Sequence, residues 1–483
     1  MNSLLVIFFF LINLITISKN EKLIFVELQS RHGARGPLNL DIEGKDIIGQ
    51  KWSYPGELTG VGQRMEYILG LRNRYIYITK KKFLSQKYDP HELLVYSTCL
   101  NRTLLSMTSQ LQGLYPMYEK TGEMLNKQQL EKSLPPIDID YDELADELSR
   151  IKNNSLPDFM SIIPIHMISP SEKQFNVFDY VDCKQNVEKV TKKNDQKKSI
   201  KDLVKFFKEK YSQNLTENNI IPKDFEYNID NLSKICDAII VDSTEGKEMK
   251  NFFDKTKFDK SSLIEKCKEV LKLNFRDKLY GDDDMKILFL EESSVLREMI
   301  HYMKQRVDAD IKGDKIDNAQ DYSRPKMVII SGHDTTVTAQ VMFILKMFNL
   351  PLDLYELPTY SAQTTFEVTR EKKNETYSDY SVTFYFNDKL ILNVTMDKFI
   401  KTVENKLWSA KQIDKFCYED FQEIQDIQDN KTLNSYFMII LVVASAITLL
   451  LLIIIIILIV KIVKKDKDDD VKSMDSDKLI NEE

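Results

Sequence analysis

The chain is short of the residues that metal sites and nucleic-acid interfaces need. Its 483 residues include five histidines and five cysteines, and no two of them stand at the close spacing of a zinc site. The one acidic run, Asp282-Asp283-Asp284, reads as a loop or helix start, so neither metal nor cofactor is expected. Excess positive charge is missing too. Lysine and arginine number 67 against 74 acidic residues, a net charge of −7, which gives no reason to expect a nucleic-acid partner. No internal repeat is present. The N-terminus has no basic residues before its apolar core, Leu4 to Ile17, which ends in Ser18 ahead of Lys19 and Asn20. This still fits a secretory signal peptide over residues 1–18, the run being short for a membrane span.

A second apolar run, Tyr436 to Val460, carries no charge and is long enough to cross a hydrocarbon core of about 30 Å. Lys461, Lys464 and Lys465 follow at once, which predicts a cytoplasmic C-terminal end. Signal plus single span predicts a type I membrane protein with residues 19–435 luminal or extracellular. The tail, 461–483, is charged and expected to be disordered. It holds Asp475-Ser476-Asp477-Lys478-Leu479-Ile480, similar to an acidic dileucine signal that would engage a sorting adaptor. Asn153, Asn214, Asn231, Asn374 and Asn393 each have Ser or Thr two residues on, as glycosylation on the secretory route requires. The cysteines suit an oxidising compartment.

Three strand-to-helix junctions carry the chemistry. An apolar run, Leu23 to Leu28, reads as a buried strand leading into Arg31-His32-Gly33-Ala34-Arg35-Gly36-Pro37. Leu93 to Ser97 reads as another, followed by a helix opening at Asn101-Arg102-Thr103. Met327 to Ser331 is the third, followed by Gly332-His333-Asp334-Thr335 and an apolar helix through Leu345. Strand ends and helix starts are where open α/β sheets bind anionic ligands. Singly, Arg102 would ordinarily be a surface ion-pair partner, either histidine a structural one, and Asp334 a helix cap. Together they make a cluster of arginines, histidines and an aspartate suited to a phosphate-like dianion.

In this set the sequence resembles the histidine acid phosphatase family of the phosphoglycerate-mutase-like superfamily. The signature RHGxRxP is intact at Arg31–Pro37, a second motif stands at Ser97–Thr103, and the His-Asp pair at His333-Asp334. Weaker matches are Gly56-Glu57-Leu58-Thr59 with Gly62 and Gln63, and Pro164-Ile165-His166. The resemblance implies an α/β class fold: a phosphoglycerate-mutase-like three-layer α/β domain from 19–117 and 285–435, with an inserted mainly helical cap, 118–284. With it goes the C-terminal transmembrane helix, 436–460. It implies His32 as nucleophile, Asp334 as proton donor, and Arg31, Arg35, Arg102 and His333 as phosphate-binding residues. It also implies a Cys183–Cys417 disulfide. Cys236 has a family counterpart, but its usual partner region reads Ser361-Ala362-Gln363, so Cys236–Cys267 is the pairing expected instead. Cys99 replaces the family's usual aspartate and is expected to be a buried, inert thiol. His166 reads as a neighbour of the site or a core histidine, and His91 and His301 as structural.

The implied reaction is hydrolysis of small phosphate monoesters through a phosphohistidine, with an acidic optimum and no metal. An endosomal, lysosomal or cell-surface setting follows from the signal, span and tail. Two alternatives stay open: a selective enzyme of the same fold, acting on inositol phosphates, lysophospholipid phosphates or phosphosugars, and a catalytically silent receptor. A homodimer is also left open.

Overall fold

The computed structural model describes residues 22–417, apart from 121, 134, 136–141, 143, 169–182, 314–323 and 371–375. The expected signal peptide, span, tail and Asn374 lie outside the described residues. Seven strands form one sheet: β1 (Lys22–Arg31), β2 (Leu93–Thr98), β3 (His166–Ile168), β4 (Met327–Gly332), β5 (Gln363–Arg370), β6 (Tyr380–Phe386) and β7 (Lys389–Thr395). Their order is β3-β2-β4-β1-β5-β6-β7. Strands β3, β2, β4 and β1 are parallel, and β5 to β7 continue antiparallel. The longer helices are α1 (Gly60–Asn73), α2 (Asn101–Leu114), α3 (Lys184–Asn194), α4 (Lys198–Glu217), α5 (Ile229–Thr244), α6 (Lys260–Leu273), α7 (Lys286–Lys312), α8 (Asp334–Met347) and α9 (Met396–Val403).

The two-residue period of the strands divides the core between two faces. Val26 and Leu28 of β1, with Met327 and Ile329 of β4, pack with Met107, Leu111 and Leu114 of α2. Phe25, Val328 and Ile330 face the other way, with Leu296 and Met303 of α7, Phe343 of α8 and Phe399 of α9. Helices therefore cover both faces of the sheet, a three-layer α/β arrangement. Strand β1, hydrogen-bonded on both sides, is buried along nearly its whole length, as a central strand of such a sheet must be.

A third core belongs to the helices between residues 198 and 273. Ile200, Leu203, Phe207, Tyr211 and Leu215 of α4 recur every three or four residues and are buried, the stripe that lets a helix pack on its neighbours. They meet Ile235 and Ile239 of α5 and Leu263 and Val270 of α6. A disulfide joins Cys236 of α5 to Cys267 of α6 within this core. Cys183 and Cys417 are both in the disulfide state. One strand from the 118–284 segment, β3, lies at the edge of the main sheet beside β2.

Register brings the three junctions level. Ser331 of β4 pairs with Ser30 of β1 on one side and Ser97 of β2 on the other. The loops after the three parallel strands therefore leave from one sheet edge. Two glycines let the first loop pack: a Cβ on Gly33 would lie 2.4 Å from the Gly62 carbonyl oxygen, and one on Gly62 would lie 2.1 Å from that of Ala34. No side chain fits there without moving backbone. The Gly56–Gln63 stretch is laced to the same loop, Gly36 N–H donating to Glu57 O (2.9 Å) and Thr59 N–H to Ala34 O (3.0 Å).

Candidate active site

Arg31 ends β1 and His32 stands just beyond it, 2 % exposed. The His32 Nδ1 is 2.8 Å from the Gly33 carbonyl oxygen. A carbonyl only accepts, so Nδ1 carries the proton and the Nε2 lone pair is left for chemistry. Burial, then the charges of Arg31 and Arg35, hold the imidazole well below its ordinary value of 6.5. The loop's own backbone is pinned by Gly33 N–H donating to the buried Ser106 hydroxyl on α2 (3.0 Å).

The second junction supplies Arg102 in the first turn of α2, and the third supplies His333 and Asp334 at the start of α8. His333 meets His32 edge-on, with centroids 5.6 Å apart and planes at 70°. Its Nε2 lies 3.0 Å from the Thr98 hydroxyl, which in turn lies 2.8 Å from that of Thr103. The second motif thus orients the third. Burial and the Arg102 charge lower His333 to about 4. Asp334 is ion-paired with Arg31, Nη2 to Oδ2 being 2.8 Å. Burial alone would raise its carboxyl, but Arg31, Arg35 and His333 outweigh that and hold it below the ordinary 3.8. In the resting site Asp334 is therefore ionised.

The three arginines share one feature. Arg31 gives Nη1 to Pro358 O (2.7 Å) and Nη2 to Asp334, and Arg35 gives both terminal nitrogens to Asp237 and Nη1 also to Gly36 O. The Nε of each, and that of Arg102, is buried with no hydrogen-bond partner among the described residues. Buried donors are normally satisfied. Three orphaned guanidinium N–H groups beside one imidazole therefore describe an anion site. His32, Arg35, Arg102, His333 and Asp334 line a cavity of about 320 Å³, together with Asp237 and Lys234 of α5, Leu271 of α6, and Asn274 and Phe275.

The family model of the histidine phosphatase superfamily (branch 2) matches residues 22–387. The chain belongs to this superfamily. Among its relatives, lysosomal acid phosphatase of Xenopus laevis is 37% identical over 119 residues, 24% of this chain and 25% of that protein. Prostatic acid phosphatase of Bos taurus is 25% identical over 372 residues, 74% of this chain and 77% of that protein. The chain matches the frog protein and its Caenorhabditis elegans relatives, two putative acid phosphatases, over only about a quarter of their own length. Hafnia alvei phytase in complex with myo-inositol hexakis sulphate superposes with a TM-score of 0.52 at 13% identity, covering 81% of this chain and 99% of that one. This last likeness is one of fold.

Within this member of the superfamily, His32, Arg31, Arg35, Arg102, His333 and Asp334 come together at one sheet edge. His166 does not join them: it is exposed on β3, its ring tilted against that of Tyr96 with centroids 5.8 Å apart. Cys99, expected to be buried, is exposed. It sits in the turn between β2 and α2, whose inward positions are taken by Ser97, Thr98 and Thr103. Two residues of the site carry no motif. Tyr360 lies under the Arg31 guanidinium, 4.3 Å from its centre, and 5.9 Å from His32. Asp237 pairs with Arg35 from the helical segment, and nothing in its local sequence marks it. Of the sequons, Asn153 and Asn393 are exposed, Asn231 donates to Glu226 O (3.0 Å), and Asn214 is half-buried with its amide nitrogen donating to Thr256 O (2.8 Å).

Proposed function

We propose that this protein is an acid phosphatase that hydrolyses phosphate monoesters through a phosphohistidine on His32. The observation that carries the reading is the unprotonated His32 Nε2 among three guanidinium groups whose Nε–H donors have no partner among the described residues. A monoester dianion repels nucleophiles, so attack needs its charge offset by fixed donors. Arg31, Arg35, Arg102 and His333 would hold the phosphoryl oxygens. His32 Nε2 bonds to phosphorus as the ester P–O bond breaks, and Asp334 gives the departing alkoxide its proton. Water then attacks phosphorus, the P–N bond breaks, and inorganic phosphate leaves.

Asp334 is ionised at rest, so it must gain its proton before it can act. A bound dianion shares Arg31 and weakens that residue's hold on the carboxylate, which raises the carboxyl's affinity for a proton. Mild acid completes the step. This supports an acidic optimum.

We extend the proposal to the whole chain from its sequence: signal peptide, luminal or extracellular catalytic part, glycosylation, a Cys183–Cys417 disulfide and a single span at 436–460. A lysosomal, endosomal or cell-surface setting goes with it, the Asp475–Ile480 tail serving sorting. Turnover of p-nitrophenyl phosphate tests the activity. The expected result is hydrolysis at mildly acid pH that EDTA does not abolish. A folded protein with none at any pH between about 4 and 8 overturns it.

A further inference from the structure

The Arg35–Asp237 pair crosses from the α/β layers to the helical segment, and its geometry is two-sided. Arg35 Nη2 donates to Asp237 Oδ1 at 2.9 Å and Nη1 to Oδ2 at 3.2 Å, with Nη1 also donating to Gly36 O at 2.9 Å. Both Nη1 protons are thereby used. A guanidinium has five N–H donors in a fixed plane, so what remains is the Nε edge, with one Nη2 proton. That Nε is buried and unpartnered among the described residues, and Arg35 lines the cavity that holds His32.

Asp237 is itself held firmly. Helix α5 lies against the segment that follows the first loop: Trp52 Nε1 donates to Asp242 at 2.9 Å and the Thr59 hydroxyl to Glu245 at 2.6 Å. The Lys247 ammonium caps the Trp52 ring at 3.4 Å. These contacts come from the C-terminal end of α5, about one to two turns beyond Asp237, and the disulfide at Cys236 ties the turn of Asp237 to α6. A carboxylate placed this way fixes both the position and the rotation of the arginine it grips.

We propose that Asp237 is a positioning residue for phosphoryl transfer: it takes one edge of Arg35 and thereby presents the other, Nε edge to the phosphoryl group. The inference rests on the phosphatase reading above. It separates orientation from charge. Asp237 is a negative group beside an anion site, so losing it favours the binding of a dianion while leaving Arg35 misaligned for the reaction.

The test compares the full chain as wild type, Asp237→Asn and Asp237→Glu, measuring kcat and KM for p-nitrophenyl phosphate, inhibition by inorganic phosphate, and melting temperature. A misplacement of about 1 Å can cost on the order of 100-fold. The expected result for Asp237→Asn is kcat lowered roughly 10- to 100-fold, with inorganic phosphate inhibiting as tightly or more tightly. Asp237→Glu, which restores the carboxylate, recovers part of kcat. An unchanged kcat in Asp237→Asn overturns the proposal. So does a loss of kcat in step with weaker phosphate inhibition and a lowered melting temperature, the mark of a residue that only holds the helices in place. Wild type that turns over nothing overturns the phosphatase reading itself, and this proposal with it.

Discussion

Glu27 gives a stability test independent of catalysis. It lies in the middle of β1, 1 % exposed, between the sheet and α8, where Gln340 Nε2 donates to its Oε1 at 3.2 Å. Its second oxygen has no partner among the described residues. Burial lifts its carboxyl from the ordinary 4.5 to about 8, against the opposing Gln340 hydrogen bond. Between those values the folded protein keeps a proton that the unfolded chain has released. The stabilising effect is therefore complete below about pH 4.5 and is lost as pH rises toward 8. One pH unit corresponds to about 1.4 kcal/mol per group, so Glu27 alone removes up to about 3 kcal/mol between pH 4.5 and 7. Glu66, buried on α1 and accepting from the Ser361 hydroxyl at 2.8 Å, is likewise raised to about 8 by burial. Glu291 and Glu292 are raised in the same direction. Carboxyls held low, such as Asp310 and Asp277, titrate below their ordinary 3.8 and leave this window untouched. Glu27→Gln replaces the protonated acid by a neutral amide of the same shape. Urea unfolding from pH 5 to 8 should show wild type losing stability as pH rises, with the variant's slope shallower by up to about 1.4 kcal/mol per unit. Equal slopes, or stability rising with pH in both, would refute the reasoning.

Two active-site substitutions follow from the same geometry. Arg102 makes no hydrogen bond to the described residues, so Arg102→Ala should leave the melting temperature nearly unchanged. One charge-assisted hydrogen bond, about 1.5–3 kcal/mol, should lower kcat/KM roughly 10- to 100-fold; an unaltered kcat/KM would remove Arg102 from the site. Asp334→Asn should cost about 10²- to 10⁴-fold in kcat on an alkyl phosphate. On p-nitrophenyl phosphate, whose weakly basic leaving group needs little proton transfer, the loss should be much smaller, and equal losses on both would contradict the proton-donor role.

The site was legible because its residues stand where the backbone forces convergence. A run such as Met327–Ser331 followed by Gly332-His333-Asp334 declares a strand end and a helix start, and parallel strands in register put such ends on one edge. The turn between β6 and β7 was legible too, since Asn387-Asp388 suits the left-handed backbone it adopts there. Strand β3 was not: three residues, His166 to Ile168, offer no period to read. Cys99 was misjudged because residue type says little about which way a turn faces. Asp237 and Tyr360 belong to the site through tertiary packing alone, one across a helix-to-loop contact and the other beneath an arginine. No local pattern announces either.

The most direct test of the central claim is capture of the covalent intermediate. The full chain, incubated with phosphorus-labelled p-nitrophenyl phosphate and quenched in alkali, should carry an acid-labile, alkali-stable phosphoryl group on wild type and on Asp334→Ala, and none on His32→Ala. Label on His32→Ala at the wild-type level would contradict the assignment of His32 as the nucleophile.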